Sequence, residues 1–176
     1  MSILKIARMG HPVLMQKAQS VEDPTSPEIH CLVEDMVETM YDAPGVGLAA
    51  PQVHVGLRVV VFHVPRGRSD GEDGAGSVPL TVLINPVIEP IGEEMNTAFE
   101  GCLSLPGMIG KVARYTHIKY SALGLDGKPF EREASGFHAR VVQHECDHLD
   151  GVLYPMRMDD LKTFGYVEDM QKEVKE

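Results

Sequence analysis

The stretch Gln143-His144-Glu145-Cys146-Asp147-His148-Leu149 decides how this chain is read. It contains H-E-x-x-H inside a helical pattern. Phe137, Val141, His144 and His148 are spaced i, i+4, i+7 and i+11, so the two histidines continue an apolar stripe and face inward. Residues four apart lie on one helix face, so His144 and His148 can reach one metal ion together. Glu145 is one step round, placed to take a proton from a water that the ion activates. Ser135 caps this helix, which runs to about Asp150, and Gly151 stops it.

A hydrolytic metal needs a third protein ligand. Cys146 is turned about 200° from His144 round the helix and faces away. The scattered histidines His11, His30, His54, His63, His117 and His138 read as ordinary polar residues. Cys102 is the better candidate, in Glu100-Gly101-Cys102-Leu103-Ser104-Leu105-Pro106-Gly107 between a strand end and a proline-glycine turn. On the residues alone it stays open whether Cys102 is a soft anionic ligand or a core thiol.

Working outward, residues 25–42 form an N-terminal helix with one apolar stripe: Ile29, Leu32, Val33, Met36, Val37 and Met40. Thr25 or Ser26 caps it, with Glu28 able to close a box with Thr25; Cys31 lies off the stripe. Residues 57–64 read as a strand buried on both faces. Residues 66–77 read as a mobile polar loop. Short strands are expected at 80–84, 87–91 and 95–99, and a hairpin over 116–125 and 129–134 turns at Asp126-Gly127. A last helix is expected over 159–174. Strands grouped between helices indicate α+β: short, mostly antiparallel sheets around a central metal-binding H-E-x-x-H helix, with an N-terminal and a C-terminal helix. The length of 176 residues suits one domain, 1–176.

The net charge of −10 argues against a strong nucleic-acid-binding surface. Three sparse cysteines do not make a disulfide framework. No apolar run is long enough to span a membrane and the N-terminus lacks a signal-peptide pattern, so a cytoplasmic protein is expected.

Three segments together resemble peptide deformylases. They are Gly45-Val46-Gly47-Leu48-Ala49-Ala50-Pro51-Gln52, Glu100-Gly101-Cys102-Leu103-Ser104-Leu105-Pro106, and the opening stretch, in matching order and separation over about residues 6–154. The resemblance implies one metal held by Cys102, His144 and His148: natively Fe²⁺, with Zn²⁺, Ni²⁺ or Co²⁺ as substitutes. It implies removal of formyl groups, as formate, from N-formyl-methionyl nascent peptides. Such substrates imply transient ribosome proximity, but residues 159–176 carry six acids against three lysines, so docking by a basic helix is not carried over. By the same resemblance Glu145 is the proton carrier, and Gln52 and the Leu103 backbone N–H meet the oxyanion. Gly45, Val46 and Gly47 pair with the peptide backbone, while Gly101, Phe137 and Val141 help line the methionine pocket. Glu100 and Arg114 match a buried ion pair that braces the cysteine loop. Arg140 stands where some members carry an aliphatic residue near the pocket, a departure that bears on side-chain preference, and Cys146 where many carry methionine. The rival readings are a metalloprotease of another specificity and a non-catalytic binder of peptide ends.

Overall fold

The computed structural model describes residues 2–66 and 77–170. Helix α1 (Pro27–Asp42) buries Ile29, Val33, Met36 and Met40, the stripe read from the sequence. Its cap is Ser26, which accepts a hydrogen bond from the Ile29 N–H. Thr25 does not close a box with Glu28; its N–H and hydroxyl both donate to Asp23.

Five strands form an antiparallel sheet in the order β1 (Gly47–Ala49), β2 (Val59–Val64), β3 (Val78–Pro90), β6 (His117–Leu123) and β7 (Pro129–Ser135). β2 is buried on both faces as expected, and alternation sorts its side chains. Val59 and Val61 pack with Met36 and Met40 of α1. Val60, Phe62 and Val64 pack on the other face with Val142 and Leu149 of α2 (Gly136–Leu149). The sheet is therefore a layer between the two helices. Each fully buried aliphatic or Met side chain contributes roughly 1.5–3 kcal/mol.

A second antiparallel sheet, β4-β5-β8, consists of β4 (Met95–Cys102), β5 (Leu105–Tyr115) and β8 (Gly165–Tyr166). The N-terminal segment joins the two halves: the Ala7 N–H donates to Gln52 O at 2.7 Å, and the Met9 N–H to Ser104 O at 2.8 Å.

Several expectations are corrected. The strands read at 80–84 and 87–91 are one strand, β3, with an irregularity between Ile84 and Val87. Asn85 lies there at φ 53°, where its side chain bonds both Val21 N–H and Val21 O. The turn placed at Pro106-Gly107 falls instead at Leu103 and Ser104, and Pro106-Gly107 belongs to β5, a strand the sequence reading missed. β4 continues past Phe99 to Cys102. The last helix does not begin at residue 159. Leu161–Thr163 is a 3-10 turn, β8 pairs with β5 at Met108 and Ile109, and α3 (Val167–Met170) begins only after it. Residues 171–174, where the expected helix was to end, and most of the 66–77 loop lie outside the described residues.

α2 ends as read. Asp150 is its C-cap and Gly151 follows at φ 73°, where a Cβ would meet the Met15 backbone at 2.8 Å. Near the start of α2, His138 packs beside Phe62, and its Nε2 is 3.1 Å from the Tyr120 hydroxyl. Burial, reinforced by Arg132, pushes its pKa down to about 4. The unfolded chain takes up this proton near pH 6.5, the folded chain only near 4, so stability falls as pH drops through that window. Urea unfolding of wild type and His138→Gln between pH 7 and 4 checks this. The stability of wild type relative to the variant should decline by up to about 3 kcal/mol; a constant difference would refute it.

Candidate metal centre

Helical spacing puts His144 and His148 on the buried face of α2, and β4 brings Cys102 to meet them. The ligand atoms of Cys102, His144 and His148 lie within 4.8 Å of one another, and Cys102 Sγ is 3.3 Å from His148 Nε2. Among the described residues this is the one His/Cys/Asp/Glu group so arranged. Cys146 lies in the apolar cluster behind the helix, facing away as its angle required.

His144 is oriented by Glu100: its Nδ1–H donates to Glu100 Oε2 at 2.8 Å, which leaves Nε2 for the cluster. Arg114 grips the same carboxylate in a fork, Nε to Oε1 and Nη2 to Oε2, both 2.9 Å, so the ion pair read from the sequence is present and buried. Burial opposes the charge on Glu100, but His144 and Arg114 outweigh it and hold the carboxyl well below its usual range. Arg114 also reaches Asp147, which Arg157 binds through both carboxylate oxygens.

Burial likewise disfavours a thiolate at Cys102, yet His148 and His144 pull its pKa well below the ordinary thiol range. Burial disfavours a charged His144 too, and Cys102 and Glu100 raise its pKa well above the usual value. Both shifts favour a thiolate beside a charged imidazole. This is the donor set a divalent cation takes over, the ion replacing imidazole protons beside a thiolate. A thiolate with two imidazoles suits Fe²⁺ or Zn²⁺, and the residues fit such an ion.

The cluster opens into a cleft of about 500 Å³. Every candidate site residue named from the sequence lines it except His148, which stands behind Cys102: Gly45, Val46, Gly47, Gln52, Gly101, Cys102, Leu103, Phe137, Val141, His144 and Glu145. Gln52 is fixed by its own helical turn. Its Oε1 accepts from the Ala49 N–H at 2.9 Å, so its amide NH₂ points to Ser104 Oγ at 3.1 Å and Cys102 Sγ at 3.5 Å. Glu145 is buried against Gly47, where a Cβ would collide with its Oε1. Its Oε2 is buried with no hydrogen-bond partner, and burial pushes its pKa up to about 6.

The sequence reading missed three contributors and the role of a fourth residue, Arg140. Ser104 receives Gln52 and donates its N–H to Cys102 Sγ at 3.4 Å. Tyr154 stacks on His144 at 6.1 Å. Gln143 bonds both the N–H and the C=O of Tyr115. Arg140 lines the cleft, as its place near the pocket required, but its guanidinium is engaged by Glu100, at 2.7 Å, and by backbone carbonyls. Only Gln143 carried a signal, being a polar residue beside the motif on a helix expected to be buried.

Residues 3–164 match the polypeptide deformylase family. The chain is 55% identical over 163 residues to peptide deformylase 1 of Bordetella pertussis, covering 93% of this chain and 92% of that protein. It is 50% identical over 168 residues to peptide deformylase 1 of Nitrosomonas europaea, covering 96% and 94%. The crystal structure of peptide deformylase from Ehrlichia chaffeensis superposes with TM-score 0.82 at 33% identity, covering 98% of this chain and 95% of that one. A Met-Ala-Ser-bound class I type b peptide deformylase from Acinetobacter baumannii gives TM-score 0.80 at 36% identity, covering 89% and 98%. The chain belongs to the polypeptide deformylase family.

Removing Arg114 would leave Glu100 and Asp147 buried with partners missing. Arg114→Met is expected to cost about 3–5 kcal/mol in urea unfolding at pH 7. A loss under about 1 kcal/mol would show that Arg140 and Arg157 suffice without it.

Proposed function

We propose that this protein is a peptide deformylase that hydrolyses the formamide of N-formyl-methionyl nascent polypeptides, releasing formate and a free amine. The observation that carries this reading is the Cys102, His144 and His148 cluster at the floor of a largely apolar cleft, with Glu145 beside it. Cys102, His144 and His148 hold the ion, natively Fe²⁺. An ion held there supplies Lewis acidity, lowering the pKa of water and polarising a carbonyl.

The protein's own groups do the rest. Glu145 takes the proton of the attacking water and returns it to the departing amine nitrogen. Burial raises its pKa, which favours holding the proton between the two steps. As the formyl oxygen becomes anionic, the Gln52 amide and the Leu103 backbone N–H donate to it. Gln52 is already aimed, because Ala49 holds the other end of its amide. β1 is the edge strand of its sheet, and Gly45, Val46 and Gly47 border the cleft, so the peptide adds there as a further strand. Gly101, Phe137 and Val141 receive the methionine side chain. The guanidinium of Arg140 is engaged within the protein, so this wall stays apolar to the substrate.

We read residues 1–176 as one catalytic domain acting in the cytoplasm, where nascent chains bring it transiently near ribosomes. No helix among the described residues is long and apolar enough to cross a membrane.

Formate release from formyl-Met-Ala-Ser by anaerobically Fe²⁺-loaded protein is the test. Glu145→Gln should retain the metal and lose about 10²–10⁴-fold in kcat. Release that is absent from the loaded wild type, or undiminished in the variant, would sink the proposal. Chelation should abolish release, and adding Fe²⁺ or Co²⁺ should restore it. In Gly47→Ala the new methyl displaces the Glu145 carboxylate, so kcat should fall at least about tenfold with metal content unchanged; equal kcat would show that the contact is not needed.

A further inference from the structure

We infer that Arg140 is a positioning residue for the metal centre: it pins the helix that carries His144 and His148 to the hairpin that carries Cys102, and so sets how the three ligands meet. This rests on reading those three residues as ligands. The ligands come from two separately built pieces. Helical geometry fixes His144 against His148; their position against Cys102 on β4 rests on side-chain contacts between α2 and the hairpin, of which His144 to Glu100, Gln143 to Tyr115 and Asp147 to Arg114 are three.

Arg140 adds a contact that reaches both strands of the hairpin. It stands one helical turn before His144 on the same face, and both side chains grip Glu100. Arg140 Nη1 donates to Glu100 Oε1 at 2.7 Å, while His144 Nδ1 donates to Oε2 at 2.8 Å. Glu100 is two residues before Cys102 on the same strand. Arg140 also holds the hairpin independently of Glu100. Nη1 donates to Val112 O on β5 at 2.9 Å, and Nη2 to Asn96 O on β4 at 2.7 Å. One side chain, 8% exposed, thus bridges α2 to both strands of the hairpin. A planar fork with several donors can do this; a lysine replaces it only in part and an aliphatic residue not at all.

The test uses Co²⁺ as the probe, because its thiolate charge-transfer and visible bands report ligand geometry. Wild type, Arg140→Met, Arg140→Lys and Arg58→Met are loaded with Co²⁺ without oxygen, and metal loss to a chelator is timed. Arg58, which pairs with Asp150 at the far end of α2, is the control. Arg140→Met should lose Co²⁺ roughly 10–100-fold faster than wild type, with altered visible bands. Arg140→Lys should fall between, and Arg58→Met should match wild type. A merely structural role would lower the unfolding midpoint and leave the bands of the folded protein unchanged. Release within twofold of wild type together with superimposable bands in Arg140→Met would overturn the inference. If that variant does not fold, Arg140→Lys decides by the same criterion, and failure of both to fold would also overturn it, Arg140 then being a prop for the whole fold. Wild type that bound no Co²⁺ through sulfur would instead overturn the ligand reading itself.

Discussion

The Glu100 carboxylate is the constraint on which the rest of the centre depends. A charged carboxylate at this depth is costly unless every lone pair is used. Here Arg114 takes both oxygens, Arg140 takes one and His144 the other. These partners come from β5 and from two turns of α2, so satisfying one anion aligns the hairpin with the helix. The same contact chooses the His144 tautomer, because an ionised carboxylate can only accept. Arg114 then extends the network to Asp147, and Asp147 to Arg157, so the back of α2 is tied down as well as its front.

Around that anchor, distant segments close the cleft. The sheet layer fixes β1 at its edge, and close packing of Gly47 on Glu145 lets backbone and carboxylate share one wall. The 3-10 turn after β1 carries Gln52, and its Ala49 N–H contact settles which end of the amide faces Cys102. Backbone bonds from Ala7 and Met9 hold the Gln52 and Ser104 segments in step. The three motifs are thus joined by ordinary strand, turn and backbone bonding before any ligand is considered.

What was legible in the sequence was local. The stripes of α1 and α2, the hairpin at Asp126-Gly127 and the rejection of Cys146 all follow from periodicity within one element. What was not legible depends on partners far along the chain. β3 runs through Asn85-Pro86 because Asn85 finds Val21, sixty-four residues away. β5 hides behind Pro106, Gly107 and Gly110: Pro106 and Gly107, the latter at φ 77°, lie in the register break between the Leu105–Cys102 and Ile109–Gly101 pairs, while Gly110 pairs with Glu100 and is needed because Met158 packs where its Cβ would be. The stretch expected to begin a last helix is instead turn and edge strand, drawn onto β5 at Met108 and Ile109. Arg140 read as a departure in the pocket wall, because nothing near it in sequence names Glu100, Val112 and Asn96 as its partners.

Two buried glutamates flank the three-residue cluster. Burial raises the pKa of both, yet their ends differ. At Glu100 the opposing pull of His144 and Arg114 wins and the group stays ionised. At Glu145 burial wins over His144 and His148, Cys102 and Glu100 add to it, and the pKa rises to about 6. Glu100 spends its oxygens on three partners, whereas Glu145 keeps Oε2 unpartnered beside the cleft. One environment makes a fixed anion that orients His144. The other makes a carboxyl whose protonated form burial favours, which is the division of labour that the proposed hydrolysis requires.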